Sequence, residues 1–359
     1  MLVTVGSVVE PGTSSSGAHA AATRCAWQID PYRVRGELYG IRAINRRNVW
    51  TVGSNEDVDE PRAVALRWLG TGWKRVGVPV THASWSAVAF TTPSDGWAVG
   101  ASVGSGVGIA RWDGRRWMAV PGADLGKRRA GLEDAAAAGK DDVWAVGSVS
   151  IAAAKAGVLV EHWDGVRWTV VPTPDVGQSH LQAVAAISRA NVWAVGNQVD
   201  NTLIEHWDGE RWEVIPNPAA PMGALEDIVA VSARDIWAVG DHGRPWPARQ
   251  RPLIEHWDGT KWRVVSSPVR GVGSFHSVDV ISPGDVWVSG GLGGNRDLQD
   301  RATLVHRKGT KWQAVQPPRI KGQRSLQIVA AGKDDIWGIS HVVNFSDTRP
   351  RTVHYRCPS

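Results

Sequence analysis

Cysteine is nearly absent: Cys25 and Cys357 are the only two among 359 residues. That excludes a disulfide-dense small-domain framework and leaves one bridge at most. Phenylalanine, tyrosine and methionine number three each, so the usual mixed aromatic core is missing. No apolar stretch approaches the roughly 20 residues that span a bilayer. Charge of one sign never accumulates either. Lys140-Asp141-Asp142 and Glu210-Arg211 set both signs side by side, and the net charge is only +5. This is a solvated mixed surface, and it does not mark a nucleic-acid patch.

Tryptophan is what the chain has instead, at 21 copies, and it is periodic. One series sits in a W-x-hydrophobic-G-like phrase at Trp50, Trp97, Trp144, Trp193, Trp237, Trp287 and Trp337. A second falls at Trp27, Trp73, Trp117, Trp168, Trp212, Trp262 and Trp312. The spacing of roughly 44–51 residues is that of propeller repeats and not of helical solenoids. With about two such residues per unit, core packing explains the tryptophans better than ligand stacking.

Each complete unit carries four short strand signals. The first is a near-continuous apolar run such as Leu181–Ile187, and the second is the Trp phrase, as in Ile236–Gly240. The third reads Leu253–Trp257 and the fourth Trp262–Val265. Strands one and two lack polar alternation and are expected to be buried on both faces. Strands three and four alternate charge with bulk and are expected nearer the rim. Asp-Gly pairs (Asp113-Gly114, Asp164-Gly165, Asp208-Gly209, Asp258-Gly259) join strands three and four, a strong hairpin signal. Proline soon after strand four, as at Pro121, Pro172 and Pro216, protects the outer edge from pairing with another chain. The histidine before the third-strand Trp (His162, His206, His256, and His306 before Arg307) is expected to hydrogen-bond from one unit to the next. The fold expected is all-β, a seven-bladed β-propeller with four antiparallel strands per blade.

The last unit lacks a fourth strand, and Cys25–Pro31 matches Glu210–Pro216. The N-terminal strand should therefore complete the last blade and close the ring. Aligning the repeats puts Cys357 where Gly209 sits and Cys25 where Glu210 sits. The two cysteines are thus expected to meet in a disulfide at the seam, which implies an oxidising compartment; two buried thiols are the other reading. Residues 1–24, with an apolar run Leu2–Val9 and an A-x-A-like ending Ala18–Ala22, are expected to be a signal-like or disordered segment outside the fold. Residues 25–359 then form a single domain.

Candidate function lies where the copies disagree. The loops after strands four and two share one face and vary in length, whereas the turns on the opposite face are uniform. The longest insertion, Asp241–Pro252, carries Trp246 flanked by Arg244, Arg249 and Arg251, a group suited to stacking on a sugar or meeting an acidic partner. The second position of strand one is polar in every unit: Tyr39, Ser86, Glu133, Gln182, Glu226, His276 and Gln327. These residues should ring the mouth of a central channel, with Tyr39, Gln182 and Gln327 as binding candidates. Glu226 and His276 fall on adjacent units beside Asp227, and with Glu133 they could act as an acid/base group. A water-filled channel needs polar lining in any case.

The pattern V-W-A-V-G … L-I-E-H-W-D-G-x-x-W … P resembles kelch and galactose-oxidase-like propeller repeats. It is also similar to the Asp-box repeats of sialidases and photosystem II assembly factors, and to repeats of secreted actinobacterial proteins of unknown role. The resemblance covers residues 25–357. It departs from kelch in having a Gly-Gly doublet only at Gly290-Gly291, and from the Asp-box in a shorter turn. The catalytic sets do not carry over. Copper chemistry of the galactose-oxidase kind needs a Tyr–Cys crosslink, sialidase chemistry needs three converging arginines where Arg42 stands alone, and the quinone-propeller signature is missing. No cofactor or metal is expected. The expectation is a secreted, monomeric, non-catalytic module binding glycan or protein on the variable face; the alternative is a polysaccharide hydrolase or lyase at the channel mouth.

Overall fold

The computed structural model describes residues 25–357 apart from 31, 33–35, 56–60, 80–82, 105, 153–154, 200, 219–221, 244–249, 294–300 and 343–349. All regular structure within these residues is β. Strand β1 (Ala26–Ile29) comes first. Unit 1 follows with β2 (Glu37–Asn45), β3 (Asn48–Ser54), β4 (Ala63–Trp68) and β5 (Trp73–Val76). Unit 2 has β6 (Ala83–Thr92), β7 (Asp95–Ser102), β8 (Val107–Trp112) and β9 (Trp117–Val120). Unit 3 has β10 (Ala130–Gly139), β11 (Asp142–Ala152), β12 (Lys155–Trp163) and β13 (Trp168–Val170). Unit 4 has β14 (Ser179–Ser188), β15 (Asn191–Gln198), β16 (Asn201–Trp207) and β17 (Trp212–Val214). Unit 5 has β18 (Ala224–Ser232), β19 (Asp235–His242), β20 (Arg251–Trp257) and β21 (Trp262–Val264). Unit 6 has β22 (Val272–Ser282), β23 (Asp285–Gly293), β24 (Arg301–Lys308) and β25 (Lys311–Ala314). Unit 7 has β26 (Gln323–Gly332), β27 (Asp335–Val342) and β28 (Arg351–Arg356).

Within each unit the strands are antiparallel and adjacent in chain order. The outer edge of unit 7 is β1, which pairs with β28 from Ala26↔Arg356 to Ile29↔Val353. Next to that pairing, Cys25 and Cys357 form a disulfide with Cα atoms 3.9 Å apart. Hydrogen bonding sorts the strands into five four-stranded sheets and one eight-stranded sheet, not into seven separate sheets. The difference is local. Units 2 and 3 are joined by one strand pairing of small residues, Gly131↔Ala101, where two backbones can approach closely, and by the isolated bridge Gly106↔Arg129.

Each core cluster straddles a seam between neighbouring units, and the tryptophans interlock across it. The strand-two Trp of one unit meets the strand-four Trp of the next edge to face: Trp50–Trp117 at 86°, Trp97–Trp168 at 89° and Trp337–Trp73 at 89°. It also meets the third-strand Trp of that next unit, as in Trp144–Trp207 at 5.1 Å. Where unit 6 has Arg307 at the third-strand position, its guanidinium lies 4.8 Å from the centre of the Trp237 ring. Aromatic pairs of this kind add about 0.5–1.5 kcal/mol beyond burial, and between units 6 and 7 Tyr355 takes the third-strand place, 5.6 Å from Trp287. The seam between units 7 and 1 is built alike, with Leu38, Val49 and Trp73 packed against Trp337 and Ile339.

Several expectations need correction. The histidines do not bond from unit to unit; each is tethered inside its own unit to the residue opening strand two. His162, His256 and His306 Nε2 lie 2.7, 2.8 and 2.6 Å from Asp142, Asp235 and Asp285, and His206 lies 2.9 Å from Asn191. So held, each ring stacks on its own strand-two Trp, at 4.1 Å for His256 on Trp237. The Asp-Gly turns do join strands three and four. Trp207 pairs with Trp212 across a four-residue loop, in which Asp208 Oδ1 accepts the N–H groups of Glu210 and Arg211 and only Gly209, at φ 105°, is left-handed. Strand one is not buried on both faces, since alternate residues face the channel, whereas strand two is, as β3 shows throughout its length. Finally, charge on strand three does not point to the rim, for Glu161, Glu205 and Glu255 are fully buried.

Candidate functional site

The first strands of all units surround a central channel that opens at the end where strand one begins. A cavity of ≈ 490 Å³ at that end is lined by Tyr39, Ser86, Glu133, Gln182, Glu226, His276 and Gln327, together with Ser84, Ser325 and His341. The structure thus brings all seven strand-one second positions to one place. A narrower space of ≈ 160 Å³ continues inward past Arg42, Asp134, Asp227 and Asp279.

Local backbone geometry aims these side chains. In units 1 to 6 the strand-one/strand-two register slips by one residue at Tyr39, Ser86, Glu133, Gln182, Glu226 and His276. A β-bulge leaves one residue unpaired and bends the strand, and so re-aims that side chain. The bulge explains the glycine of the W-x-V-G phrase. At Gly53, Gly100, Gly147, Gly196, Gly240 and Gly290 a Cβ would overlap the backbone carbonyl oxygen of the residue two before the bulge, for instance Ala224 O at Gly240. Unit 7 is an internal control. Ser340 stands at the glycine position, opposite Leu326, and the bulge lies earlier, between Gln323 and Ser325.

The mouth is chemically lopsided. On one side Gln182 Nε2 donates to Glu226 Oε2 at 3.3 Å. Burial pushes the Glu226 carboxyl up, and the nearby Asp241 charge adds to that, against smaller opposing effects of His180 and Gln182. Asp241 is itself raised by burial and accepts from Gln250 Nε2 at 3.2 Å. On the other side burial, helped by His276, pushes His341 down to about 4, so its imidazole is neutral.

Deeper in, the acids have structural work. Asp134 Oδ2 accepts the Val184 N–H at 3.0 Å, Asp227 Oδ2 that of Val278 at 2.8 Å, and Asp279 Oδ2 that of Ala330 at 2.7 Å. Each bond ties one unit to the next around the channel wall. Burial pushes Asp227 up to about 8, and raises Asp134 and Asp279, against the pull of Arg42. Asp227, grouped by sequence with Glu226 and His276, is therefore a tie between units 5 and 6. Among the described residues no three His, Cys, Asp or Glu side chains are arranged to hold a metal ion. No helix among them is long and apolar enough to cross a membrane.

Trp246, Arg244 and Arg249 lie outside the described residues. Arg251 opens β20, exposed and opposite His242, and the Arg251 charge joins burial in lowering the His242 pKa. Sequence reasoning missed the bulges, although the lone Ser340 among six glycines was their signal.

No family model matches the chain, and no curated protein sequence does. Solved structures do match its fold. The chain is similar to YCF48 bound to a D1 peptide, at 15% identity and TM-score 0.61, covering 93% of this chain and 95% of that one. It is similar to YCF48 from Cyanidioschyzon merolae at 13% identity and TM-score 0.59, covering 92% and 98%. The WD40 repeats of RRP9 align at 10% identity and TM-score 0.61, over 92% and 97%. At these identities the likeness speaks to architecture alone: the fold is an all-β β-propeller.

Proposed function

We propose that the protein is a secreted, non-catalytic recognition module that binds a protein segment at the channel mouth, on the face carrying the variable loops. The observation behind this reading is the ≈ 490 Å³ cavity to which every unit contributes its strand-one second residue. Rigid scaffolds display binding residues at such loop-rich ends. A protein ligand is favoured over a glycan because a propeller of the same architecture, YCF48, has been solved with a D1 peptide. Secretion rests on the Cys25–Cys357 disulfide, which an oxidising compartment preserves.

The same reading takes the eight-stranded sheet as two blades linked at Gly131↔Ala101 and Gly106↔Arg129. The blades then number seven, and β1 completes the last. A kelch-like or Asp-box-like repeat type belongs to this proposal too, resting on the Trp-Gly phrase and the Asp-Gly turn. The test is selection of displayed peptides on the purified protein, then titration of enriched peptides against wild type, Tyr39→Ala and Gln182→Ala. A loss of affinity of about tenfold or more is expected in both variants. Peptides that bind all three proteins alike would refute the site. Binding confined to a glycan array would refute the ligand class, and polysaccharide turnover abolished by Glu226→Gln would replace recognition with catalysis.

A further inference from the structure

Three carboxylic acids are buried where the other units place hydrocarbon. Glu161 on β12, Glu205 on β16 and Glu255 on β20 are each 0% exposed. The equivalent residues of units 1, 2, 6 and 7 are Leu66, Ala110, Val305 and Val353, also buried. Side chains two apart on a strand share a face, so each Glu lies beside the leucine two residues earlier. Those leucines, Leu159, Leu203 and Leu253, fill the seams between units 2 and 3, 3 and 4, and 4 and 5. The acids therefore occupy three consecutive seams.

Their surroundings offer little to a charge. Across the sheet Glu161 faces Ala145 and Val170, Glu205 faces Ala194 and Val214, and Glu255 faces Ala238 and Val264. Glu161 Oε2 accepts the Ala123 N–H at 3.1 Å, and Glu255 Oε2 accepts Asn217 Nδ2 at 3.2 Å. Both donors belong to the linker arriving from the preceding unit. Glu161 Oε1 and both oxygens of Glu205 have no hydrogen-bond partner. The charged and titratable groups on the facing units are engaged elsewhere: Arg111 with Asp95, His162 with Asp142 and His206 with Asn191. In the facing linkers, Asp124 accepts from the Gly126 N–H and Asp175 from the Gly177 N–H. Burial is the leading influence on all three acids and pushes each up to about 7 from the ordinary 4.5.

We propose that Glu161, Glu205 and Glu255 form a proton-operated switch that tightens three adjacent seams in acid and loosens them as the pH rises through neutrality. An ionised carboxylate in these sites is a buried charge without a counter-ion, which a folded seam tolerates poorly. The folded chain keeps the proton to higher pH than the unfolded chain. The stabilisation is therefore complete below the unfolded value near 4.5 and is lost as the pH climbs through the folded value of about 7. Units 3, 4 and 5 also carry Glu133, Gln182 and Glu226 at the channel mouth, so the sector that loosens is the acidic wall of the cavity. The raised channel acids Asp134, Glu226, Asp227, Asp241 and Asp279 titrate in the same sense, and the lowered His206, His242, His306 and His341 in the opposite one. The diagnostic quantity is therefore the difference between variant and wild type.

The test is reversible unfolding of wild type and of Glu161→Gln/Glu205→Gln/Glu255→Gln between about pH 5 and 8, with limited proteolysis mapping the cut sites. Wild type is expected to lose stability over this window and to gain cuts in units 3 to 5, and the triple variant to show a flatter curve. Glu205→Leu, which copies Leu66 of unit 1, should remove up to about 300-fold of the pH dependence of the unfolding constant, the limit set by 4.5 and 7. Parallel curves for variants and wild type would overturn the proposal. If the triple variant does not fold, Glu205→Leu alone decides. Failure of Glu205→Leu to fold also overturns it, because the switch requires that an uncharged aliphatic side chain fit the seam.

Discussion

Gly240→Ala is the sharpest test of how the channel mouth is built. Gly240 pairs with Leu225, and an added Cβ meets Ala224 O, Ala224 C and Leu225 Cα, all of them backbone. No flexible side chain can move aside, so either β18 shifts or the bulge at Glu226 is lost. Overpacking costs roughly 1–3 kcal/mol in general, and a backbone obstacle puts this case near about 2–3 kcal/mol. At about 2–4 °C per kcal/mol, the melting temperature should fall by about 4–12 °C. The control is Ser340→Ala at the same repeat position in unit 7. Ser340 is fully buried with an unpartnered hydroxyl, and its bulge lies elsewhere, so removing the hydroxyl should be neutral or slightly stabilising. Thermal and urea unfolding of both variants compares them directly. If Gly240→Ala is as stable as wild type, or Ser340→Ala is the worse of the two, the link between glycine and bulge is wrong.

Other outcomes follow from the seams. Trp193→Ala removes contacts to Trp257 at 4.9 Å and Trp262 at 5.7 Å, and should cost about 3–5 kcal/mol in urea unfolding. His256→Ala loses both its stack on Trp237 and its bond to Asp235, for about 1–2 kcal/mol; an unchanged midpoint would refute the tether. Arg307→Trp should fold, because tryptophan fills the equivalent place at Trp68, Trp112, Trp163, Trp207 and Trp257; aggregation on expression would count against it. Cys25→Ser/Cys357→Ser opens a loop of 332 residues, and the chain-entropy limit is about 5–6 kcal/mol. Melting of that variant should match melting of the reduced wild type.

Much of the architecture could be read from the repeat itself. The Trp series, the Asp-Gly turns and the missing last strand placed every unit and paired Cys25 with Cys357. Periodicity tells which residues are equivalent, but not how the backbone is registered, so the bulges at Tyr39 to His276 stayed hidden behind an unexplained glycine. Burial of Glu161, Glu205 and Glu255 was misread because alternation on strand three looks like a solvent-facing edge. What reaches Glu161 and Glu255 is the linker of the preceding unit, a contact local pattern does not encode. The clue was the aliphatic set Leu66, Ala110, Val305 and Val353 at the same position. The channel-mouth residues were found because an inward-facing position must be polar in every copy, whatever its partner.

The pairing of β1 with β28 beside the Cys25–Cys357 bond also has a mechanical meaning. A pulling force applied at those two residues loads a covalent bond before it loads any sheet. Oxidised protein held there should bear forces that leave every blade unstrained. Reduced protein should instead peel strand by strand, starting with the four residues of β1.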